Sequence, residues 1–279
     1  MTREPLLDIR DLNVTFQGRS GETHAVRNVT FSLGRERLGI VGESGSGKST
    51  TGRALLGLIP APGIVTARKM SFSGTDLRRL DDAGWQRLRG RNISMVMQDP
   101  KFSLNPVLKV GQQIEETYRL HHRTSQADAK KRALAGLEAV KIRDPDSVYH
   151  LYPHQLSGGM GQRAMIAMML IAEPELLIAD EPTSALDVTV QNQVLRILDD
   201  LVRDRDMGLI FISHNLTVVS SFCDRILVMY GGRIVEECRA SELAAAKHPY
   251  TRALIRSAPS LEHPVNELAV VTRDPAWLA

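Results

Sequence analysis

Leu38-Gly39-Ile40-Val41-Gly42-Glu43-Ser44-Gly45-Ser46-Gly47-Lys48-Ser49 is the stretch that decides the fold. Residues 38–41 read as a short buried strand, residues 42–47 as a glycine-rich turn, and 48–58 as a helix that stops before Pro60. The turn has the spacing G-x-x-x-x-G-K-[ST], and it stands where that spacing has meaning, after a strand and before a helix. Glycines let the backbone curl so that several N–H groups point at one anion. The helix that follows offers its positive end to the same anion. Gly42, Glu43, Ser44, Gly45, Ser46, Gly47 and Lys48, with Ser49 and Thr50 opening the helix, are therefore candidates for holding a nucleoside triphosphate. Lys48 would reach its outer phosphates, and the Ser49 hydroxyl would ligate Mg2+.

Three other strand ends carry polar residues suited to the same ligand. Leu176-Leu177-Ile178-Ala179 runs into Asp180-Glu181. In a parallel sheet, ligands collect at the carboxyl ends of strands. Asp180 is a candidate for the Mg2+ shell, and Glu181 for the base that takes a proton from the attacking water. His214 closes the apolar run 209–212 in the same way and is a candidate γ-phosphate contact. Gln98 follows the run 93–97 and is a candidate for orienting water and metal.

A second helix start is unusual. In Leu156-Ser157-Gly158-Gly159-Met160-Gly161-Gln162-Arg163, Ser157 can cap the helix, while Gly158 and Gly159 leave its first N–H groups approachable. That makes a second anion site. One nucleotide does not need two cradles in one chain, but two chains packed head to tail would use both. An ordinary helix start is the other reading of this turn.

Around these motifs, residues 6–16 alternate as a half-buried strand (Leu7, Ile9, Leu12, Val14, Phe16), with a turn at 18–21 and a second strand at 26–33. Residues 64–77 read as an antiparallel pair turning at Gly74. The region 100–155 is charge-rich and helical, with Leu134, Leu137 and Val140 on one face of a helix at 127–140. Helices are expected at 157–172, 189–206, 241–247 and 250–258, and a hairpin at 226–237 turning on Gly231-Gly232. Strands alternating with helices imply an α/β fold with a largely parallel sheet.

The composition fits that reading. The chain has 279 residues, 43% hydrophobic and 24% charged, enough for one large globular domain or two small ones. The net charge of +3 is spread with mixed signs, and the run Arg87, Arg89, Arg91 reads as a solvated face or partner contact, so no nucleic-acid partner is expected. Cys223 and Cys238 have no metal-ligand spacing and read as reduced thiols. The first residues have no apolar signal core. The longest apolar run, 164–172, falls short of the roughly 20 residues a membrane span needs. A membrane role would therefore come through partners.

The motifs and their order resemble the ABC ATPase family over about residues 6–258. The resemblance implies a P-loop NTPase core with an antiparallel β subdomain and a helical subdomain. The ABC ATPase domain would span 5–258, its helical subdomain about 100–172, with a C-terminal tail at 259–279. It implies that Lys48, Ser49, Gln98, Asp180, Glu181 and His214 bind and hydrolyse ATP·Mg2+ in one half-site. Ser157, Gly158 and Gly159 would complete the site of a partner ATPase. Asp187, closing the D-loop Ser184-Ala185-Leu186-Asp187, looks like the residue that crosses between sites. Phe16 matches the aromatic that stacks on adenine, with Phe in place of the common Tyr.

Within the family, the stretches 95–106, 152–160 and 179–190 are similar to the peptide and nickel importer branch, as is His248-Pro249-Tyr250-Thr251-Arg252-Ala253-Leu254. This resemblance implies an ATP-hydrolysing subunit that drives uptake of peptides, nickel or a related small solute. Its partners would be a second ABC ATPase subunit, identical or related, two transmembrane permease subunits, and a periplasmic or extracellular solute-binding protein. It would sit on the cytoplasmic face of the inner membrane, with ATP and Mg2+ as cofactors. One departure is Met160-Gly161, where this branch has Met-Arg. The alternative is a soluble ABC ATPase serving a non-transport enzyme complex, as in bacterial phosphonate breakdown.

Overall fold

The computed structural model describes residues 4–18, 21–98, 103–184, 186–257 and Trp277. Most of the expected tail at 259–279, Ala185 of the D-loop, and residues 99–102 of the 95–106 stretch lie outside the described residues. The chain divides into two compact units, one comprising Met1–Leu80 with Ile210–Ala279 and the other Asp81–Leu209.

In the first unit, β1 (Leu7–Gly18) and β2 (Gly21–Leu33) pair antiparallel, and β4 (Gly63–Thr66) and β5 (Lys69–Phe72) both pair antiparallel with β1. The expected antiparallel pair turning at Gly74 is present as β5 with the two-residue strand β6 (Thr75–Asp76), while β4, also within 64–77, pairs with β1 instead.

The apolar alternation of β1 skips a residue between Ile9 and Leu12, and the structure gives the reason. The register with β2 shifts there, and Asp11 takes a left-handed conformation at φ 52°. One extra residue in the strand returns Leu12 and Val14 to the side of Leu7 and Ile9, and all four are fully buried. The bulge is held by hydrogen bonds, Asp11 N–H to Thr30 Oγ1 at 2.8 Å and Asn28 N–H to Asn13 Oδ1 at 2.9 Å. At about 1.5–3 kcal/mol per buried aliphatic side chain, the corrected register is worth more than any single hydrogen bond in it.

The same unit holds β3 (Arg37–Val41), parallel to β10 (Arg225–Tyr230), which turns through Gly231 and Gly232 into antiparallel β11 (Arg233–Arg239). Both turn glycines have positive φ, 54° and 84°, as a two-residue hairpin with right-handed strand twist requires. The Arg37 guanidinium grips Asp224 at 2.7 Å where β3 and β10 begin. Helix α1 (Lys48–Leu55) follows the glycine turn and ends three residues short of the expected span.

In the second unit, α2 (Asp82–Leu88) leads to β7 (Ile93–Val96), which pairs parallel with β8 (Leu176–Asp180). Between them come α3 (Val110–His121), α4 (Gln126–Ala139), α5 (Pro145–His150) and α6 (Gly158–Leu170). After β8 comes the amphipathic α7 (Val188–Asp204). The buried stripe of α4 is Ala129, Ala133 and Leu137, continued by Val140, while Leu134 is only half-buried. Leu137 and Val140 of the expected face are thus buried, and Ala129 and Ala133 rather than Leu134 complete it. Two alanines at i and i+4 let α4 approach its neighbours closely, and a search for large apolar residues passes over them. Strand β9 (Gly208–Ile212), wholly buried, lies where the two units divide. The short helix α8 (Leu216–Phe222), which periodicity did not reveal, and α9 (Pro249–Ser257) complete the first unit. Among the described residues, no helix is long and apolar enough to cross a membrane.

Candidate nucleotide-binding site

The glycine turn after β3 is held from several sides. Gly42, Gly45 and Gly47 all have positive φ, at 151°, 81° and 102°. Two of them also have no room for a side chain. A Cβ on Gly42 would lie 2.2 Å from the Met229 carbonyl oxygen, and one on Gly47 would lie 2.5 Å from that of Ala25. A Cβ on Gly45 would meet nothing within 4 Å, so this glycine answers to the backbone turn alone and its outer side is open.

Lys48 is only 5% exposed, and its ammonium donates to the carbonyl oxygens of Gly42 and Glu43, each at 2.7 Å. Ser46 N–H donates to Glu43 O at 3.2 Å, and Gly232 N–H to Ser46 O at 3.1 Å. Gly47 caps α1 in a left-handed conformation without a side-chain hydrogen bond, which leaves the first turn free of the usual Ser or Asp acceptor. A turn of this kind, with a buried cation at its edge and a helix N-terminus behind it, is chemically suited to an anion. Ser49 and Thr50 are half-buried at the start of α1.

In the same unit, Ser213 N–H donates to Ile40 O at 3.1 Å, tying the end of β9 to the strand that carries the turn. His214 follows it and is exposed, and Asn215 caps α8 by accepting from Val218 N–H at 3.2 Å. Phe16 is half-buried on β1 opposite Gly63, so close that a Cβ on Gly63 would lie 2.8 Å from the ring. Glycine there leaves space for the phenyl ring.

In the other unit, the β7–β8 register pairs Val96 with Ala179. Two residues further along each strand stand Gln98 and Glu181, and Gln98 Nε2 donates to Glu181 Oε2 at 3.3 Å. Parallel pairing thus brings together two site residues 83 positions apart. Asp180, one residue earlier, is 4% exposed. Glu181 takes a left-handed conformation at φ 48°, and Ser184 N–H and Oγ both donate to its carbonyl oxygen, at 3.3 and 3.2 Å. A non-glycine residue held there costs about 1–3 kcal/mol, a strain that collects at functional positions.

The second glycine-rich helix start lies in this unit too. Ser157 Oγ accepts from Met160 N–H at 3.4 Å, so Ser157 is the cap the sequence suggested. Ser157 and Gly158 are exposed, and a Cβ on Gly158 would meet nothing within 4 Å. Gly159 differs: its Cβ would lie 2.5 Å from Val190 Cγ1. Asp187 Oδ1 caps α7 by accepting from Thr189 N–H and Val190 N–H, both at 3.0 Å. Val190 therefore joins Gly159 to Asp187, a link that sequence spacing did not show. Arg163 continues the turn inward, donating to Gly159 O at 3.2 Å and Lys141 O at 2.9 Å. Burial and nearby Arg143 lower the pKa of that guanidinium from its ordinary value.

Known proteins resemble this chain in sequence and fold. The ABC transporter family profile matches residues 26–184. The oligopeptide transport ATP-binding protein OppD of Bacillus subtilis is 48% identical over 92% of this chain and 73% of its own length. The dipeptide transport ATP-binding protein DppD of Haemophilus influenzae is 47% identical over 91% of this chain and 78% of its own. A dimeric ATP-binding cassette solved in a post-hydrolysis state with ADP and Pi superposes with a TM-score of 0.74 at 28% identity, covering 84% of this chain and 98% of that one. A Clostridium perfringens component of an ABC transporter complex gives 0.73 at 25% identity over 91% and 96%. With more than half its length inside the family profile and close relatives along most of the rest, the chain belongs to the ABC transporter family as an ATP-binding subunit.

Proposed function

We propose that this chain hydrolyses ATP to drive an ABC importer for peptides, working as one half of an ATPase dimer on the cytoplasmic face of the membrane. The observation that carries the chemistry is the Gln98–Glu181 pair, a side-chain amide on a carboxylate at the ends of adjacent parallel strands. Glu181 would accept a proton from water as the water oxygen bonds to the γ-phosphorus and the bond to the β,γ-bridging oxygen breaks, giving ADP and phosphate. Gln98 would orient that water. Lys48 and the N–H groups of 42–49 would hold the phosphates, His214 would contact the γ-phosphate, and Phe16 would stack on adenine.

The residues proposed for Mg2+ fit a hard cation: the Ser49 hydroxyl, the Gln98 amide oxygen and the Asp180 carboxylate are all oxygen donors. Because Gln98 turns Nε2 toward Glu181, its Oε1 is the atom left to serve as such a donor. Bound there, Mg2+ would neutralise phosphate charge.

The exposed Ser157-Gly158 turn supports the dimer, since it offers an anion-binding helix start to a second ATPase subunit. The relatives named for oligopeptide and dipeptide transport support peptides as the cargo class. Two permease subunits would receive the motion of the helical stretch at about 100–172, and a solute-binding protein would deliver the peptide. The test of the chemistry is Glu181→Gln. ATP binding should persist, while turnover falls by about a thousandfold, within the range for loss of a general base acting with its preorganised water. Turnover at the parent rate would remove Glu181 from the base role.

A further inference from the structure

The motif His248-Pro249-Tyr250-Thr251 has no part in the chemistry above, yet it reaches the phosphate cradle. Tyr250 is fully buried, and its hydroxyl accepts the Glu43 N–H at 2.9 Å. That N–H belongs to the Gly42–Glu43 peptide, whose carbonyl is Gly42 O, one of the two oxygens that hold the Lys48 ammonium at 2.7 Å. A single peptide plane is thus pinned at both ends, by tyrosine on the N–H side and by lysine on the C=O side. The next carbonyl, Glu43 O, takes Lys48 at 2.7 Å and Ser46 N–H at 3.2 Å.

This plane needs fixing. Gly42, at φ 151°, is a residue about which a peptide turns with little steric penalty. If the plane turned over, Gly42 O would leave the ammonium and the curl of N–H groups would open. The tyrosine itself is firmly placed. Its ring packs on Tyr230 at 4.5 Å and on Trp277 at 5.4 Å between centroids. The start of its helix is held by Glu236 Oε1, which accepts from Lys247 N–H at 2.6 Å and His248 N–H at 3.3 Å.

We propose that Tyr250 is a positioning residue for ATP. Its hydroxyl selects the orientation of the Gly42–Glu43 peptide in which Lys48 and the loop N–H groups face the phosphates, and Trp277 braces its ring. The proposal rests on the reading of residues 42–49 as the nucleotide site. A cradle that is correctly formed only part of the time binds in proportion to that fraction. Loss of the hydroxyl therefore acts on affinity and leaves the bond-breaking step alone.

The experiment uses the full chain, with ADP affinity measured by calorimetry, steady-state ATP hydrolysis, and thermal unfolding without nucleotide. Tyr250→Phe keeps the ring and removes the acceptor. It should raise the ADP Kd and the KM for ATP about tenfold, the effect of one hydrogen bond lost from a part-buried donor. It should leave kcat within about twofold and lower the unfolding midpoint by no more than a few degrees, since the same bond is lost from the unliganded chain. Trp277→Ala should give a smaller rise of the same kind. Lys48→Ala is the control that abolishes nucleotide binding. If Tyr250→Phe matches the parent in Kd and KM while Lys48→Ala binds nothing, the positioning role is overturned and the nucleotide site stands. A Tyr250→Phe variant that loses kcat and thermal stability with KM unchanged also overturns it, in favour of a purely structural tyrosine. If the parent binds no ADP at all, the site and the positioning role fall together.

Discussion

The two glycine-rich helix starts look alike in sequence and differ in physics. Residues 42–48 form a closed cradle: its three glycines have left-handed φ, two of them lie against neighbouring carbonyls, and a buried lysine closes the edge. Residues 157–161 form an open face. There the cap is a serine side chain, neither Gly158 nor Gly159 has positive φ, and the first two residues are exposed. Glycine serves the backbone in the first case and clearance in the second. The cradle closes on itself within one chain, whereas the outer side of Ser157 and Gly158 stays open.

The most severe way to test that contrast is Gly47→Ala. The added Cβ falls 2.5 Å from the Ala25 carbonyl oxygen, in a conformation at φ 102° that alanine resists. The loop must distort by at least about 3 kcal/mol of strain, so nucleotide affinity should fall by about a hundredfold or more. Isothermal titration with ADP reads this directly, and affinity near the parent value would mean the cradle is far more pliant than its packing indicates.

Ser157→Arg probes the open face. The cap is lost, at about 1 kcal/mol of stability, and a long cation enters the surface proposed to meet the partner's nucleotide. ADP binding by the single chain should be unchanged, while hydrolysis drops about tenfold or more and loses its dependence on protein concentration. Hydrolysis at the parent rate would show that Ser157 faces no shared site.

How legible each region was follows from the same contrast. The cradle could be read in the sequence because its chemistry is contiguous: strand, glycines, lysine and serine within residues 38–49. Gln98 and Glu181 were found as separate strand ends, but their contact was not, since it depends on a parallel register that only the paired strands define. The β1 bulge left a visible trace in the broken alternation, while its cause, a left-handed Asp11, left none. The alanine stripe of α4 was missed because small residues carry little apolar signal, although they set how closely helices pack. Tyr250 sat in a motif that resemblance flagged, but no spacing rule connects it to Glu43, more than two hundred residues away. Local motifs thus expose ligand-facing atoms, and long-range contacts decide how firmly those atoms are held.

The smallest effect sharpens the comparison most, because it asks what Gly159 is for. If that glycine serves clearance against Val190, then Gly159→Ala costs about 1–3 kcal/mol through overpacking, read as a lower unfolding midpoint. The cost should shrink when Val190 is also cut to alanine, since the offending Cγ1 is then gone. A double-mutant cycle between the two positions should show a coupling of about 1 kcal/mol or more. Val190 also donates its N–H to Asp187, and that bond comes from the backbone, so the Val190→Ala single variant keeps the α7 cap and loses only packing. Nucleotide affinity should be the same in all four proteins, because nothing in the cradle changes. Zero coupling would mean that Gly159 is glycine for the sake of the face it presents outward, and that the Ser157–Gly159 turn is open along its whole length.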